Sequence, residues 1–175
     1  MKSSFSLRHQ LARALWQLTW RLLCRWTPPP LHPWRALVLR VWGARVGART
    51  HVYPRAIIWA PWQLTLADDA CIGDDADIYN VAPIELGPRA VVSQGAFLCT
   101  ASHDHRRDDF PLITAPIRLG ARAWVAARAI VLPGVTLGDG AVAGAGSVVT
   151  RDIPAGAVAV GNPARIVRSP ETTAP

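Results

Sequence analysis

Residues 119–149 read LGARAWVAARAIVLPGVTLGDGAVAGAGSVV, and an apolar residue returns at every sixth position: Leu119, Val125, Val131, Leu137, Ala143 and Val149. Six is an even number, so on an extended chain every return falls on the same face, whereas a helix of about 3.6 residues per turn would rotate it away. The segment is therefore built of strands. The same spacing runs upstream through Val46, Val52 and Ile58, through Leu66, Ile72, Ile78 and Ile84, and through Leu86, Val92 and Leu98. Four positions after most of these residues the side chain is small, as at Thr50, Ala56, Ala70, Ala76, Ala82, Ala90, Ala96, Ser102, Ala123, Ala129, Ala141 and Ser147, while Val135 is larger. A tight corner that must leave room inside a coil demands this. Each unit is a short strand plus a corner, and such units bury their apolar face only by stacking. Roughly three units to a coil and about five or six coils make a solenoid around a continuous aliphatic column.

The chain's 175 residues suit one folding unit with a short extension, and with 50% hydrophobic and 18% charged residues it is no disordered polyelectrolyte. The net charge of +7 fits nucleic acid, an anionic membrane surface or a phosphorylated ligand. Nucleic acid is disfavoured, since the basic residues are scattered and no recognition helix or aromatic RNA-binding signature accompanies them. Cys24, Cys71 and Cys99 are odd in number and widely spaced, so they predict reduced thiols and a cytoplasmic setting.

Near the N-terminus, Leu11, Leu15, Leu18 and Leu22 recur at helical spacing with Trp16, Trp20 and Leu23 on the adjoining stripe. They predict an amphipathic helix within residues 1–26, ended by Pro28, Pro29 and Pro30. Arg13, Arg21 and Arg25 break the apolar run, so neither a secretion signal nor a spanning helix is expected. Two roles suit this helix: capping the solenoid or packing on a partner subunit, or laying its Trp/Arg face on the inner surface of a membrane. The expected organisation is helix and linker over 1–30, solenoid over 40–168 with a loop at about 104–116, and a tail over 169–175.

That loop follows Thr100-Ala101-Ser102-His103-Asp104 and leads to Phe110-Pro111-Leu112-Ile113 and Pro116-Ile117. Together with the repeat and the closing Gly161-Asn162-Pro163-Ala164-Arg165-Ile166-Val167-Arg168, these strings resemble the hexapeptide-repeat acyltransferases, and among them the colanic-acid-biosynthesis branch of sugar O-acetyltransferases. The resemblance covers about residues 40–168. It implies an all-β fold, a parallel β-helix wound left-handed against the usual crossover rule.

The resemblance further implies acetyl transfer from acetyl-CoA to a hydroxyl of a sugar or glycan precursor, without a metal, in a homotrimer whose active sites lie between subunits. His103 is then the general base, because imidazole exchanges protons near neutral pH. Asn80 and Asp104 are the expected acceptor contacts. Trp124, Ala127, Ala145, Thr150 and Arg151 match acetyl-CoA contacts, while Arg165 and Arg168 are expected to meet the coenzyme's phosphates. Related maltose- and galactoside-type enzymes carry a further active-site asparagine where this chain has Gly73, which argues against those acceptors. Two alternatives stay open on the residues alone. A β-helical carbonic anhydrase needs three spaced zinc-binding histidines, which His51, His103 and His105 do not reproduce. A catalytically idle scaffold would have no use for the histidine, the loop and the terminal arginines together.

Overall fold

The computed structural model describes residues 6–169. Strands of two or three residues pair in parallel, each with the strand one coil before and one coil after, in three sheets that form the faces of a prism. The first face stacks Arg45–Val46, Leu64–Leu66, Ile84–Leu86, Ile117–Leu119 and Thr136–Leu137. The second begins His51–Val52, Cys71–Ile72, Val91–Val92, Trp124–Val125 and Val142–Ala143; the third holds Ile57–Ile58, Asp77–Tyr79, Phe97–Cys99, Ile130–Val131 and Val148–Val149. The whole is a left-handed parallel β-helix of about six turns. Its core is the predicted column: Val52, Ile72, Val92, Val125 and Ala143 on the second face are all fully buried. Burying each valine or isoleucine of the column contributes about 1.5–3 kcal/mol relative to exposure.

Pairing sets the coil length. Partners lie 20 residues apart in the early coils, as in Val46 with Leu66 and Leu66 with Leu86, but 18 apart later, as in Leu119 with Leu137. The extra residues sit at the corner between the third and first faces, so Ile84, six positions after Ile78, shares a strand with Leu86, two residues on, and both are buried. Close approach between coils explains the glycines at the corner after the first face. A Cβ on Gly120 would stand 2.4 Å from the Asp139 carboxylate, which accepts the Ala121 N–H at 2.8 Å and ties one coil to the next.

Two helices precede the solenoid. The first, α1 (Leu7–Leu23), is the predicted one, its N-terminus capped by the Ser6 hydroxyl accepting the His9 N–H. The second, α2 (His32–Val41), was not anticipated: Pro33 lies in its first turn, where a missing N–H costs nothing, and the proline run masked the helix start. Both helices close the open end of the prism. A first coil leaves a row of unpaired carbonyls on each face. On the third face, the Trp16 and Trp20 indoles donate to Ile58 and Ala56 carbonyls at 2.7 and 3.0 Å. On the second, Arg35 Nε donates to the Val52 carbonyl at 2.6 Å; on the first, Arg40 donates to Val46 and Gly47 at 2.9 and 2.8 Å.

Arg35 is fully buried, and its other nitrogens reach Thr27 and the carbonyls of Pro28 and Pro29, so it also pins the proline turn between the helices. The capping role of α1 therefore belongs to its tryptophan face. That corrects the expectation of a Trp/Arg face on a membrane: both indoles are buried against the first coil, and Arg13 lies 3.9 Å from the Trp59 ring. At the other end the chain turns back in an antiparallel hairpin of Val158–Gly161 with Ala164–Arg168. The expected tail beyond residue 169 lies outside the described residues.

Candidate active site

The predicted interruption is a second hairpin, thrown out between the third and first faces. Ala101–His103 pairs antiparallel with Leu112–Thr114, placing His103 opposite Leu112, and residues 104–111 form the tip. The coil leaves at Thr100, whose hydroxyl donates to the Tyr79 carbonyl at 2.9 Å and accepts the Ala82 N–H at 3.0 Å. Thr100 rather than Ser102 is the small residue at this corner: Thr100 is fully buried, whereas Ser102 is exposed on the hairpin.

His103 is half-buried and held on two sides by one residue. Its Nδ1 lies 2.9 Å from the Phe110 carbonyl oxygen, and the two rings stack 4.6 Å apart at an interplanar angle of 10°. A carbonyl only accepts hydrogen bonds, so Nδ1 carries the hydrogen and Nε2 presents its lone pair. Phe110 makes both contacts from a backbone φ of 44°, a left-handed conformation that costs a bulky residue on the order of 1–3 kcal/mol. The tip is braced from within. The Asp104 carboxylate accepts the Arg106 N–H at 3.1 Å, and Arg107 makes a two-pronged pair with Asp109 at 2.9 and 3.0 Å. That pairing holds the Asp109 carboxyl below its ordinary range.

Asn80 departs from expectation. It is fully buried, its amide oxygen accepts the Ala60 N–H at 2.9 Å and its amide nitrogen donates to the Ala60 carbonyl at 2.6 Å. Ala60, Asn80 and Thr100 form one corner column, 20 residues apart, in which polar side chains clasp one coil to the next. With its oxygen and nitrogen both bonded to Ala60 and no surface exposed, the Asn80 amide faces the coil interior and not an acceptor sugar. The sequence shows a polar residue there but not the side on which it lies.

The expected coenzyme contacts fall into three groups. Trp124 is half-exposed on the second face, its indole donating to Ser93 at 2.8 Å. Ala127 and Ala145 lie at the edge between the second and third faces on successive coils, tied by the Gly146 N–H to the Ala127 carbonyl at 3.0 Å. Arg151 and Arg165 line a shallow cavity of about 220 Å³ with Val149, Asp152 and Ile153, and exposed Thr150 adjoins it. Arg168 is exposed at the end of the last strand. Within one protomer, then, His103 leaves from one edge of the prism while Ala127 and Ala145 lie on another. The structure does not bring them together in a single chain.

None of the three cysteines bonds to the His103 imidazole. All three are unbridged; burial pushes the Cys24 thiol up to about 11 and raises that of Cys71, so neither is readily a thiolate. The Cys99 thiol donates to the Ala101 carbonyl at 3.0 Å. Among the described residues no group of three or more His, Cys, Asp or Glu converges as a metal-binding set.

Comparison with known proteins agrees with this geometry. The model of the hexapeptide repeat of succinyl-transferase matches residues 116–151. The putative colanic acid biosynthesis acetyltransferase WcaF of Escherichia coli K12 is 42% identical over 154 residues, 88% of this chain and 85% of its own. Among solved structures, a maltose O-acetyltransferase from Clostridium difficile 630 superposes with a TM-score of 0.84 at 28% identity, covering 95% of this chain and 90% of that one. The hexapeptide-repeat acetyltransferase VCA0836 of Vibrio cholerae, in complex with acetyl coenzyme A, gives 0.85 at 25% identity over 95% and 91%. The repeat and the similarity over most of both chains converge: the chain belongs to the hexapeptide-repeat acetyltransferase family, alongside the colanic acid biosynthesis acetyltransferases.

Proposed function

We propose that the protein transfers the acetyl group of acetyl-CoA to a hydroxyl of a sugar or glycan precursor, with His103 as the general base. The observation that carries this reading is the His103 imidazole, fixed by the Phe110 carbonyl and ring so that its Nε2 lone pair is the free end. Nε2 takes the proton of the acceptor hydroxyl as the oxygen bonds to the thioester carbonyl carbon. The carbon–sulfur bond then breaks, and the departing thiolate takes that proton from the imidazolium, giving an acetyl ester and free coenzyme A.

Asp104 shapes the tip beside the base and is the acceptor contact we retain; Asn80 is not. Trp124, Ala127, Ala145, Thr150, Arg151, Arg165 and Arg168 are proposed to hold acetyl-CoA. Small side chains at Ala127 and Ala145 let a narrow pantetheine arm lie against the coil, and the guanidinium groups meet phosphate. Because His103 and the Ala127–Ala145 edge are separated within one chain, a homotrimer that sets one subunit's hairpin beside its neighbour's edge would complete the site. The name of the WcaF relative favours a polysaccharide precursor as acceptor. Thiol release from acetyl-CoA, measured with sugar acceptors, tests the reading: His103→Ala should lower kcat by roughly 10²–10⁴-fold. An unaltered rate removes His103 from the mechanism.

A further inference from the structure

The face of α1 opposite its buried tryptophans is also apolar, and among the described residues nothing covers it. Leu7, Leu11, Leu15, Leu18 and Leu22 are between 54% and 77% exposed, and Trp26, just past the helix, is 83% exposed. At about 100° per residue these leucines fall within one stripe, on the side away from Trp16 and Trp20. The ridge continues onto α2, where the exposed Trp34 donates to the Leu23 carbonyl at 2.8 Å and brings a second indole beside the end of α1. An apolar ridge of this length is uncommon on a solvated helix. The Trp16 and Trp20 hydrogen bonds fix its direction, because they hold α1 with its leucines pointing outward.

Charge identifies the occupant. Residues 1–67 contain ten of the 19 Lys and Arg and none of the 12 Asp and Glu, so this end carries +10 while residues 68–175 carry −3. Arg8, Arg21 and Arg25 are exposed along the leucine stripe. We propose that the leucine ridge of α1, with Trp26 and Trp34, docks the protein on an anionic lipid surface, its arginines meeting the headgroup phosphates. The helix lies in the interface and does not cross it, since no helix among the described residues is long and apolar enough to span a membrane. A second copy of the chain is the competing occupant. Pairing two such ridges face to face would set Arg8, Arg21 and Arg25 against their own copies with no carboxylate in the segment to answer them. Phospholipid headgroups supply that negative charge, and exposed tryptophans suit the boundary between headgroup and chain.

The proposal is independent of the acetyl-transfer reading and is tested on the full chain by co-sedimentation with vesicles. Binding to phosphatidylcholine–phosphatidylglycerol vesicles is expected, with little binding to pure phosphatidylcholine. Leu11→Glu/Leu18→Glu should abolish it, and Arg8→Gln/Arg21→Gln/Arg25→Gln should weaken it roughly 100-fold. Both variants should keep the wild-type mass by sedimentation velocity and the wild-type melting temperature, because the altered side chains face away from the solenoid. Failure of the wild-type protein to bind anionic vesicles overturns the proposal, as does undiminished binding by either variant. A lower solution mass for the leucine variant also overturns it and assigns the ridge to a contact between copies. Should the leucine variant melt early, the arginine variant decides alone.

Discussion

Two antiparallel hairpins depart from an otherwise parallel coil, and they are held by different means. The terminal one, Val158–Gly161 with Ala164–Arg168, continues a face of the prism: its first strand pairs with Val142–Ala143, and a short turn at Gly161, with φ 101°, reverses it. The internal one pairs only with itself, and its tip is kept in shape by Asp104, by Arg107 with Asp109 and by the stack of Phe110 on His103. The terminal arginines thus stand on a rigid frame, while the proposed base stands on a local structure that side chains assemble. The coil is indifferent to the excursion, since Leu86 and Leu119 still pair in register across it. A solenoid can therefore carry its chemistry on an insertion without disturbing its core.

The largest effect should come from replacing residues 104–111 with Asn-Gly, the two-residue turn that would join His103 to Leu112 directly. Turnover should fall below roughly one hundredth, because His103 loses both contacts to Phe110. The melting temperature should hold or rise, since shortening the tip costs no core contact and relieves about 1 kcal/mol of closure entropy. Calorimetry beside the thiol-release assay checks both, and an early melt would show that the hairpin supports the coil after all. Arg165→Ala/Arg168→Ala should act in the opposite sense, raising the Kd for acetyl-CoA about 10–100-fold while kcat on a saturating supply is retained.

A milder change sharpens the role of the strained residue. Phe110→Gly keeps the carbonyl that meets Nδ1, removes the ring stack and relieves the positive φ. We expect about a tenfold loss in kcat with equal or greater thermal stability. The smallest effect belongs to Arg107. Its exposed pair with Asp109 lowers the carboxyl's pKa, so whatever it contributes to the tip is present above the ordinary value of 3.8 and is lost as pH falls through the lowered one. Arg107→Ala should leave the melting curve at neutral pH unchanged, as expected of an exposed ion pair.

The column was legible because its rule is local: one aliphatic residue every six positions needs no knowledge of what stacks above it. What the sequence hid depends on neighbours distant along the chain. α1 presents two apolar stripes, and only the structure shows that the tryptophans take the buried one, because an indole fills space and also donates to an open carbonyl where leucine cannot. Arg35 reads as an ordinary basic residue in a proline-rich stretch, yet it is fully buried and bonded to the carbonyls of the first coil and the proline turn. Asn80 reads as a ligand contact and is a clasp between coils for the same reason. His103 stood out through its place at the one long break in the repeat, but its orientation rests on the φ of Phe110, which no residue type announces.

The central claim, that one hairpin supplies the base and the coils and terminal hairpin hold the coenzyme, is tested most directly by titrating acetyl-CoA calorimetrically into the His103→Ala protein. The account predicts wild-type affinity in a protein that no longer turns over. Loss of affinity in step with loss of turnover would contradict it, and would make His103 part of the coenzyme site instead of the base that acts on the acceptor.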